Sequence, residues 1–139
     1  MNVLVDTCVI IDTLQQRQPF CEQSNAIFLA AANHAINGII TAKSVADIYY
    51  LSHKYLHDDK KTRGVIRTLF TLFSVCDSTS NDCFNALSSP IKDYEDAIMA
   101  ETAERENVDC IVTRNKKDYT NTEVRVLLPE ELLEIINRE

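Results

Sequence analysis

Residues that interrupt regular structure are scarce in this chain. It has two glycines and three prolines among 139 residues, and it has no tryptophan. This scarcity favours long helices and strands over a loop-rich fold. No Gly-rich phosphate loop, GxSxG turn or GxGxxG pattern occurs, so nothing supports an ATP, serine-hydrolase or NAD site.

Long apolar runs and paired cysteines are also missing. No stretch approaches the roughly 20 apolar residues that cross a bilayer, and the N-terminal MNVLVD has no basic region before its acid at Asp6. We therefore expect a cytoplasmic protein that has no membrane partner. The five cysteines form no CxxC, and this odd number fits neither a disulfide framework nor a zinc ribbon.

An excess of basic charge is absent as well, because the net charge is −7. Passive binding of nucleic acid needs a broad basic face. A metal-dependent nuclease needs carboxylates instead, and bound cations cancel part of their charge. The length, with 45% hydrophobic residues, predicts one globular domain over residues 1–139.

Short apolar strands alternate with helical patterns along the chain. The predicted strands are 2–5, 38–41, 74–76, 110–113 and 124–127. The predicted helices are 20–35, about 43–56, about 59–73, one from Thr79 to before Pro90, 94–105, and one that Pro129 opens. This alternation predicts an α/β fold in which helices cover both faces of a parallel sheet.

Polar residues follow several of these strands or lie near the starts of helices, the places that converge where ligands bind in open parallel sheets. They are Asp6, Asp47, Asp96, Asn115 and Asp118. We expect them to converge on one edge of the sheet, where their repulsion requires a cation. Oxygen ligands suit Mg²⁺ or Mn²⁺, which can polarise a phosphodiester and activate a water.

An acid near a helix start is also a common cap, and for Asp47 alone that interpretation is preferred. For Asp6 the cap interpretation is weaker, because no long helix obviously follows it. The coincidence of all these placements is what favours a site.

Four blocks of the sequence resemble those of PIN domains. VLVDTCVI at 3–10 is similar to their opening strand and acid, and TAKSVADIYY at 41–50 to their second block. DYEDAIMAETA at 93–103 is similar to the third block, and VTRNKKDY at 112–119 to the fourth. The resemblance covers essentially the whole chain.

The resemblance implies a PIN-like three-layer α/β/α sandwich with a central parallel sheet of about four to five strands and an acidic pocket for Mg²⁺ or Mn²⁺. It implies a metal-dependent endoribonuclease that hydrolyses RNA phosphodiester bonds. Many small bacterial members are toxins of type II toxin–antitoxin pairs resembling VapC, which implies an antitoxin partner and a homodimer.

The same resemblance assigns roles to the polar residues. Asp6 and Asp96 are the main metal ligands, and Asp47 is a ligand or orients a metal-bound water, so that these three form the catalytic set. Asn115 and Asp118 complete the outer part of the site. Two positions depart from the family pattern: Asp47 stands where Glu is usual, and Asn115 where Asp is frequent.

Residues beside these acids are predicted to contact substrate. Thr7 and Thr113 can hydrogen-bond a carboxylate or a phosphate oxygen, while Arg114, Lys116 and Lys117 flank the site with positive charge that suits an RNA backbone.

Two other functions stay open. One is a non-catalytic PIN-fold module that binds RNA or protein, an alternative that the net charge and Asn115 leave open. The other is a receiver-like phosphoacceptor domain, since receivers also place Asp at strand ends, although they pair two acids after the first strand and here Thr7 follows Asp6.

Overall fold

The strands lie in one parallel sheet whose centre is the first strand of the chain. The computed structural model describes all residues, 1–139. The strands are β1 (Asn2–Val5), β2 (Asn37–Thr41), β3 (Ser74–Cys76), β4 (Cys110–Val112) and β5 (Val126–Leu127). Their order is β3-β2-β1-β4-β5, and every neighbouring pair is parallel. The predicted parallel sheet of about four to five strands is confirmed.

Seven α-helices accompany the strands, six of them between strands and one after the last strand. They are α1 (Thr7–Leu14), α2 (Cys21–Ala32), α3 (Ala42–Leu56), α4 (Asp59–Leu72), α5 (Ser80–Ala86), α6 (Tyr94–Arg105) and α7 (Pro129–Arg138), with one 3₁₀ turn at Lys116–Tyr119. None of these helices has both the length and the apolar character that a membrane span requires.

The alternation of side chains along the strands places helices on both faces of the sheet. Val3 and Val5 of β1 belong to a core cluster with buried residues of α1, α2, α3, α4 and α7. Leu4, which points the other way, belongs to a second cluster with Ile111 and with residues of α5 and α6. These two cores, one on each side of the sheet, confirm the three-layer α/β/α sandwich.

One helix was not predicted, and it changes the interpretation of Asp6. The segment TCVIIDTL forms α1 directly after β1, and the Asp6 carboxylate accepts a hydrogen bond from the backbone N–H of Thr7 at 2.8 Å. Asp6 is therefore the N-cap of an eight-residue helix, and the cap interpretation, expected to be weaker for this residue, applies to it. The β-branched residues of this segment favour a strand by propensity, but burial of Val9, Ile10 and Ile11 in the core overrides it.

The strand order contradicts the receiver-like alternative. Receiver domains have the order 2-1-3-4-5, in which the third strand lies beside the first, on the side opposite to the second strand. In this chain β3 lies at one edge beside β2, and β4 and β5 extend the sheet on the other side of β1.

Smaller differences concern the ends of elements. The last two strands are shorter than predicted, since β4 stops at Val112 and β5 begins at Val126. The second helix covers Cys21–Ala32 within the predicted 20–35.

Candidate functional site

The centre of the candidate site is the carboxylate of Asp6, at the carboxyl end of the central strand. The backbone N–H of Asp6 donates to the Val112 carbonyl at 3.0 Å, which continues the pairing of β1 with β4. The hydroxyl of Thr113, the residue after β4, donates to Asp6 Oδ2 at 2.7 Å. Together with the Thr7 N–H on Oδ1, this bond fixes the orientation of the carboxylate.

A tyrosine joins Asp6 to the second acid. The Tyr119 hydroxyl lies 3.2 Å from Asp6 Oδ2 and 3.3 Å from Asp96 Oδ1. A phenol has one proton to donate, so it serves one carboxylate at a time, and both distances are long for O–H···O hydrogen bonds. Asp6 from β1 and Asp96 from α6 therefore meet at one hydroxyl.

These two carboxylates line a pocket of about 270 Å³ at the carboxyl edge of the sheet. Asp47 and Thr7, both predicted from the sequence, also line it, which brings the three predicted catalytic acids to one cavity. Its other polar lining residues are Thr41, Lys43, Ser44, Glu95 and Thr102.

Burial raises the pKa of both Asp6 and Asp96, and for Asp96 the charge of Asp6 adds to the effect. Burial raises the pKa of Asp6 above its usual value, although hydrogen bonds from Thr113, Thr7 and Tyr119 oppose the shift. Partial burial, the charge of Asp6 and then that of Asp93 raise the pKa of Asp96 to about 6. The pair thus carries repulsion that the protein itself does not neutralise, and this is where a cation would be stabilised.

Neighbouring groups remain in their neutral forms. Burial and the adjacent carboxylates of Asp6 and Asp96 raise the pKa of Tyr119, so its hydroxyl stays protonated. Burial and the charge of Asp6 raise the pKa of Cys8 to about 11, so the thiol next to the site is not an activated nucleophile.

Asp47 does not stand free in the pocket. Lys43, one turn earlier on α3, places Nζ 2.6 Å from Asp47 Oδ2 and 3.3 Å from Glu95 Oε1 at the start of α6. Although partial burial opposes it, these two carboxylates raise the pKa of Lys43. A charged ammonium therefore bridges two helices at the pocket wall.

Hydroxyl groups tie the neighbouring strand ends together. Thr7 and Thr41 both donate to Ser44 Oγ at 3.0 Å, and the Ser44 N–H donates back to Thr41 Oγ1. The hydroxyl of Thr7 thus connects α1 to α3 instead of holding a carboxylate, while Thr113 does bond Asp6.

The remaining predicted residues lie outside the acidic pocket. Asn115, Lys116 and Lys117 line a separate open groove of about 880 Å³ together with Arg114 and the ring of Tyr119. Asn115 is exposed, and its backbone N–H donates to Thr113 Oγ1 at 3.1 Å. The exposed Asp118 lines neither cavity, although its charge contributes to the raised pKa of Asp96.

Two of the predicted basic contacts have partners inside the protein. Arg114 donates to the buried carboxylate of Asp12 at 2.8 and 3.2 Å, and its guanidinium lies 4.1 Å from the ring centroid of Phe20. Lys116 pairs with Glu131 at 2.9 Å, whereas Lys117 has no ion-pair partner. Of these three basic residues, Lys117 is the one whose charge is not paired with a carboxylate of the protein.

The sequence interpretation missed several residues of the site, namely Tyr119, Lys43, Glu95, Ser44 and Asp12. A signal existed for Asp12, which is the one acid inside the apolar helix α1. A signal existed for Lys43 too, since a cation in the first turn of a helix opposes the helix dipole. Nothing in the sequence placed Tyr119 between two carboxylates, because its 3₁₀ turn has no periodic pattern.

The donor set fits a hard divalent cation. No group of three or more His, Cys, Asp or Glu side chains is gathered closely enough to hold a metal. Mg²⁺ keeps several waters and is commonly held by one or two carboxylates. Asp6 and Asp96, within reach of one hydroxyl and with unrelieved repulsion, match that requirement.

Comparison with known proteins agrees with this architecture. Residues 2–117 match the family model described as PIN domain. No curated protein sequence matches the chain.

Similar folds occur in solved bacterial complexes. A chain of VapBC2 from Rickettsia felis, bound to a promoter DNA fragment, has a TM-score of 0.67 at 15% identity and covers 92% of this chain and 98% of its own length. A chain of VapBC-1 from nontypeable Haemophilus influenzae gives 0.68 at 15%, with 94% and 99% covered. One from a Klebsiella pneumoniae toxin–antitoxin complex gives 0.66 at 21%, with 91% and 97% covered. At these identities the likeness concerns the fold, and the family match over most of the chain shows that the protein belongs to the PIN domain family.

Proposed function

We propose that the chain is a metal-dependent endoribonuclease that hydrolyses RNA phosphodiester bonds. The observation that carries this proposal is the meeting of Asp6 and Asp96 at the Tyr119 hydroxyl, in a pocket at the carboxyl edge of the sheet. These two acids would hold Mg²⁺ or Mn²⁺. Asn115 and Asp118, on the loop after β4, would complete the outer part of the site.

The bound cation would supply Lewis-acid polarisation of the phosphodiester and activation of a water. The chain's own residues prepare the site. Thr113 and the Thr7 N–H hold the Asp6 carboxylate in one orientation. Tyr119 remains a proton donor between the two acids, and Lys117 offers an unpaired charge to the backbone of an RNA strand in the adjacent groove.

We further propose that the protein acts in the cytoplasm as the toxin of a type II toxin–antitoxin pair, bound by a cognate antitoxin. Support comes from chains of similar fold in complexes described as VapBC or toxin–antitoxin. Co-expression with the product of the adjacent reading frame should give a complex that co-purifies and does not cut RNA. Purification of the two proteins as separate species would contradict this part of the proposal.

A homodimer is the proposed assembly. The exposed apolar side chains of α3 and α4 are Tyr50, Tyr55, Leu56 and Phe70. A second copy of the chain would cover them. Light scattering on the purified protein should give twice the mass of one chain. The mass of a single chain would contradict the dimer and leave the nuclease proposal untouched.

The nuclease proposal is tested by RNA cleavage in Mn²⁺ with the purified protein, Asp6→Asn and Asp96→Asn. Both variants keep the shape of the side chain, and Asn also replaces Asp well as a helix cap. Each variant should lose at least about 100-fold in rate, the size of effect expected when a group stabilising the transition state is removed. Asp109→Asn, at the opposite end of β4, is the matched control and should cut at the parent rate. Variants as fast as the parent would assign the activity to another site or to a contaminant.

A second candidate is a non-catalytic PIN-fold module that binds RNA or protein. The pairing of Asp47 with Lys43 favours it, as does the exposed Asn115 outside the acidic pocket. Calorimetric titration with Mn²⁺ separates the two functions: heat and stoichiometric binding support the nuclease, and no binding at millimolar metal supports the module.

A further inference from the structure

Lys43 occupies a position that helix energetics do not explain. It lies in the first turn of α3, at the positive end of the helix dipole, where a cation is unfavourable. Its ion pair with Asp47 has Lys before Asp at a spacing of four residues, the weaker of the two orientations. The placement therefore adds little to the stability of α3.

The surroundings of Lys43 hold its ammonium group at the wall of the pocket. Asp47 binds Nζ from α3, and Glu95 binds it from α6. An ammonium group has three N–H donors, and two carboxylates occupy two of them. No third protein group pairs with Nζ, and Lys43 lines the same cavity as Asp6 and Asp96.

We propose that Lys43 contacts a phosphate oxygen of the RNA bound at this pocket, and that Asp47 and Glu95 are positioning residues that hold its ammonium group. This inference rests on the proposed function and assigns Asp47 to the lysine instead of to the metal. The two carboxylates of Asp6 and Asp96 are then the acids that bind the cation.

The first test separates Asp47 from the metal ligands. Calorimetric titration with Mn²⁺ should give the same affinity for Asp47→Asn as for the parent, while Asp6→Asn should lose binding. If Asp47→Asn loses Mn²⁺ binding as Asp6→Asn does, Asp47 is a metal ligand and the inference is overturned. If the parent itself binds no Mn²⁺, the proposed nuclease fails, which is a different result.

The second test measures the phosphate contact without hydrolysis. A short fluorescent single-stranded oligoribonucleotide is titrated with protein at several salt concentrations, with Ca²⁺ in place of Mn²⁺. Lys43→Met should bind roughly tenfold more weakly, as expected for loss of a charge-assisted hydrogen bond. The slope of log affinity against log salt should fall by about 0.7, the value for one contact to a single strand.

Lys54→Met is the matched control, because it removes the same charge from the exposed last turn of the same helix. It should keep the parent affinity and the parent slope. Equal slopes for Lys43→Met and the parent would overturn the contact with phosphate, and so would equal losses in Lys43→Met and Lys54→Met. Asp47→Asn should weaken RNA binding while Mn²⁺ binding is kept, a combination that a purely structural role would not produce.

Discussion

The hydroxyl of Tyr119 serves two acids with one proton. It lies between the Asp6 and Asp96 carboxylates, at 3.2 and 3.3 Å. A bound cation would offset the repulsion between these acids and reduce what the hydroxyl adds to stability. The contribution of this hydroxyl to stability should therefore depend on metal.

Tyr119→Phe removes the hydroxyl and keeps the ring. In EDTA the variant should lose about 1–2 kcal/mol of unfolding free energy, because the buried Asp6 and the partly buried Asp96 lose their shared donor. In saturating Mn²⁺ the loss should shrink. Urea denaturation under both conditions measures it, and Tyr94→Phe is the control, since the Tyr94 hydroxyl donates to the Cys83 carbonyl instead of to either acid. A loss of equal size with and without Mn²⁺ would contradict the shared role of the hydroxyl.

Asp96 makes the metal-free protein sensitive to pH. Its pKa of about 6 in the folded state is above the usual value of 3.8, so between these values the folded state binds more protons than the unfolded state. Stability should therefore fall as pH rises from about 4 to about 7 in EDTA. The raised pKa of the buried Asp6 acts in the same direction.

Asp96→Asn should flatten this dependence and stabilise the metal-free protein at pH 8. We expect a gain of about 1 kcal/mol, because solvent screens a carboxylate that is only partly buried. Thermal unfolding in EDTA across the pH range checks the prediction. If the parent and Asp96→Asn show the same pH slope, repulsion at this acid does not destabilise the fold.

At the level of elements, the pair of Asp12 and Arg114 connects α1 to the loop that follows β4. Asp12 is 2% exposed, and Arg114 contacts it through two nitrogens while lying over Phe20. This connection anchors the segment that carries Thr113 and Asn115. The loop beside the acidic pocket is thus fixed to the helix that Asp6 caps.

Asp12→Asn should destabilise the protein by roughly 2 kcal/mol, since removing one partner leaves a guanidinium without its buried counter-charge. Glu134→Gln breaks an exposed pair with Arg138 and should change stability by less than about 1 kcal/mol. Urea denaturation of both variants compares them. Equal effects would mean that the buried pair does not anchor the loop.

The elements differ in how far the sequence determines them. The alternation of short apolar strands with helical patterns predicted the parallel sheet. The position of Asp6 directly after β1 and of Thr113 at the end of the predicted strand 110–113 predicted that both lie at the carboxyl edge of the sheet. The helix α1 was missed because its β-branched residues read as part of a continuous apolar run. Tyr119 and the bridge from Lys43 to Glu95 were missed because they join segments far apart in sequence, which no local pattern encodes.

At the scale of the whole molecule, metal binding should stabilise the fold. Mn²⁺ at 100 times its dissociation constant adds about 2.7 kcal/mol, and for a domain of this size that raises the melting temperature by roughly 5–10 °C. Asp6→Asn and Asp96→Asn should show almost no shift, whereas Asp109→Asn should shift like the parent. A shift of equal size in all four proteins, measured by calorimetry, would locate the metal outside the acidic pocket.

The central position of β1 determines when, during synthesis, the acidic pocket can assemble. Asp6 leaves the ribosome more than a hundred residues before Tyr119 and before Thr113, which orients its carboxylate. Since the strand β4 must pair with β1 before these contacts form, a growing chain contains no assembled acidic pocket until β4 and the segment after it have been synthesised. A truncated product that ends before β4 therefore cannot assemble the acidic pocket.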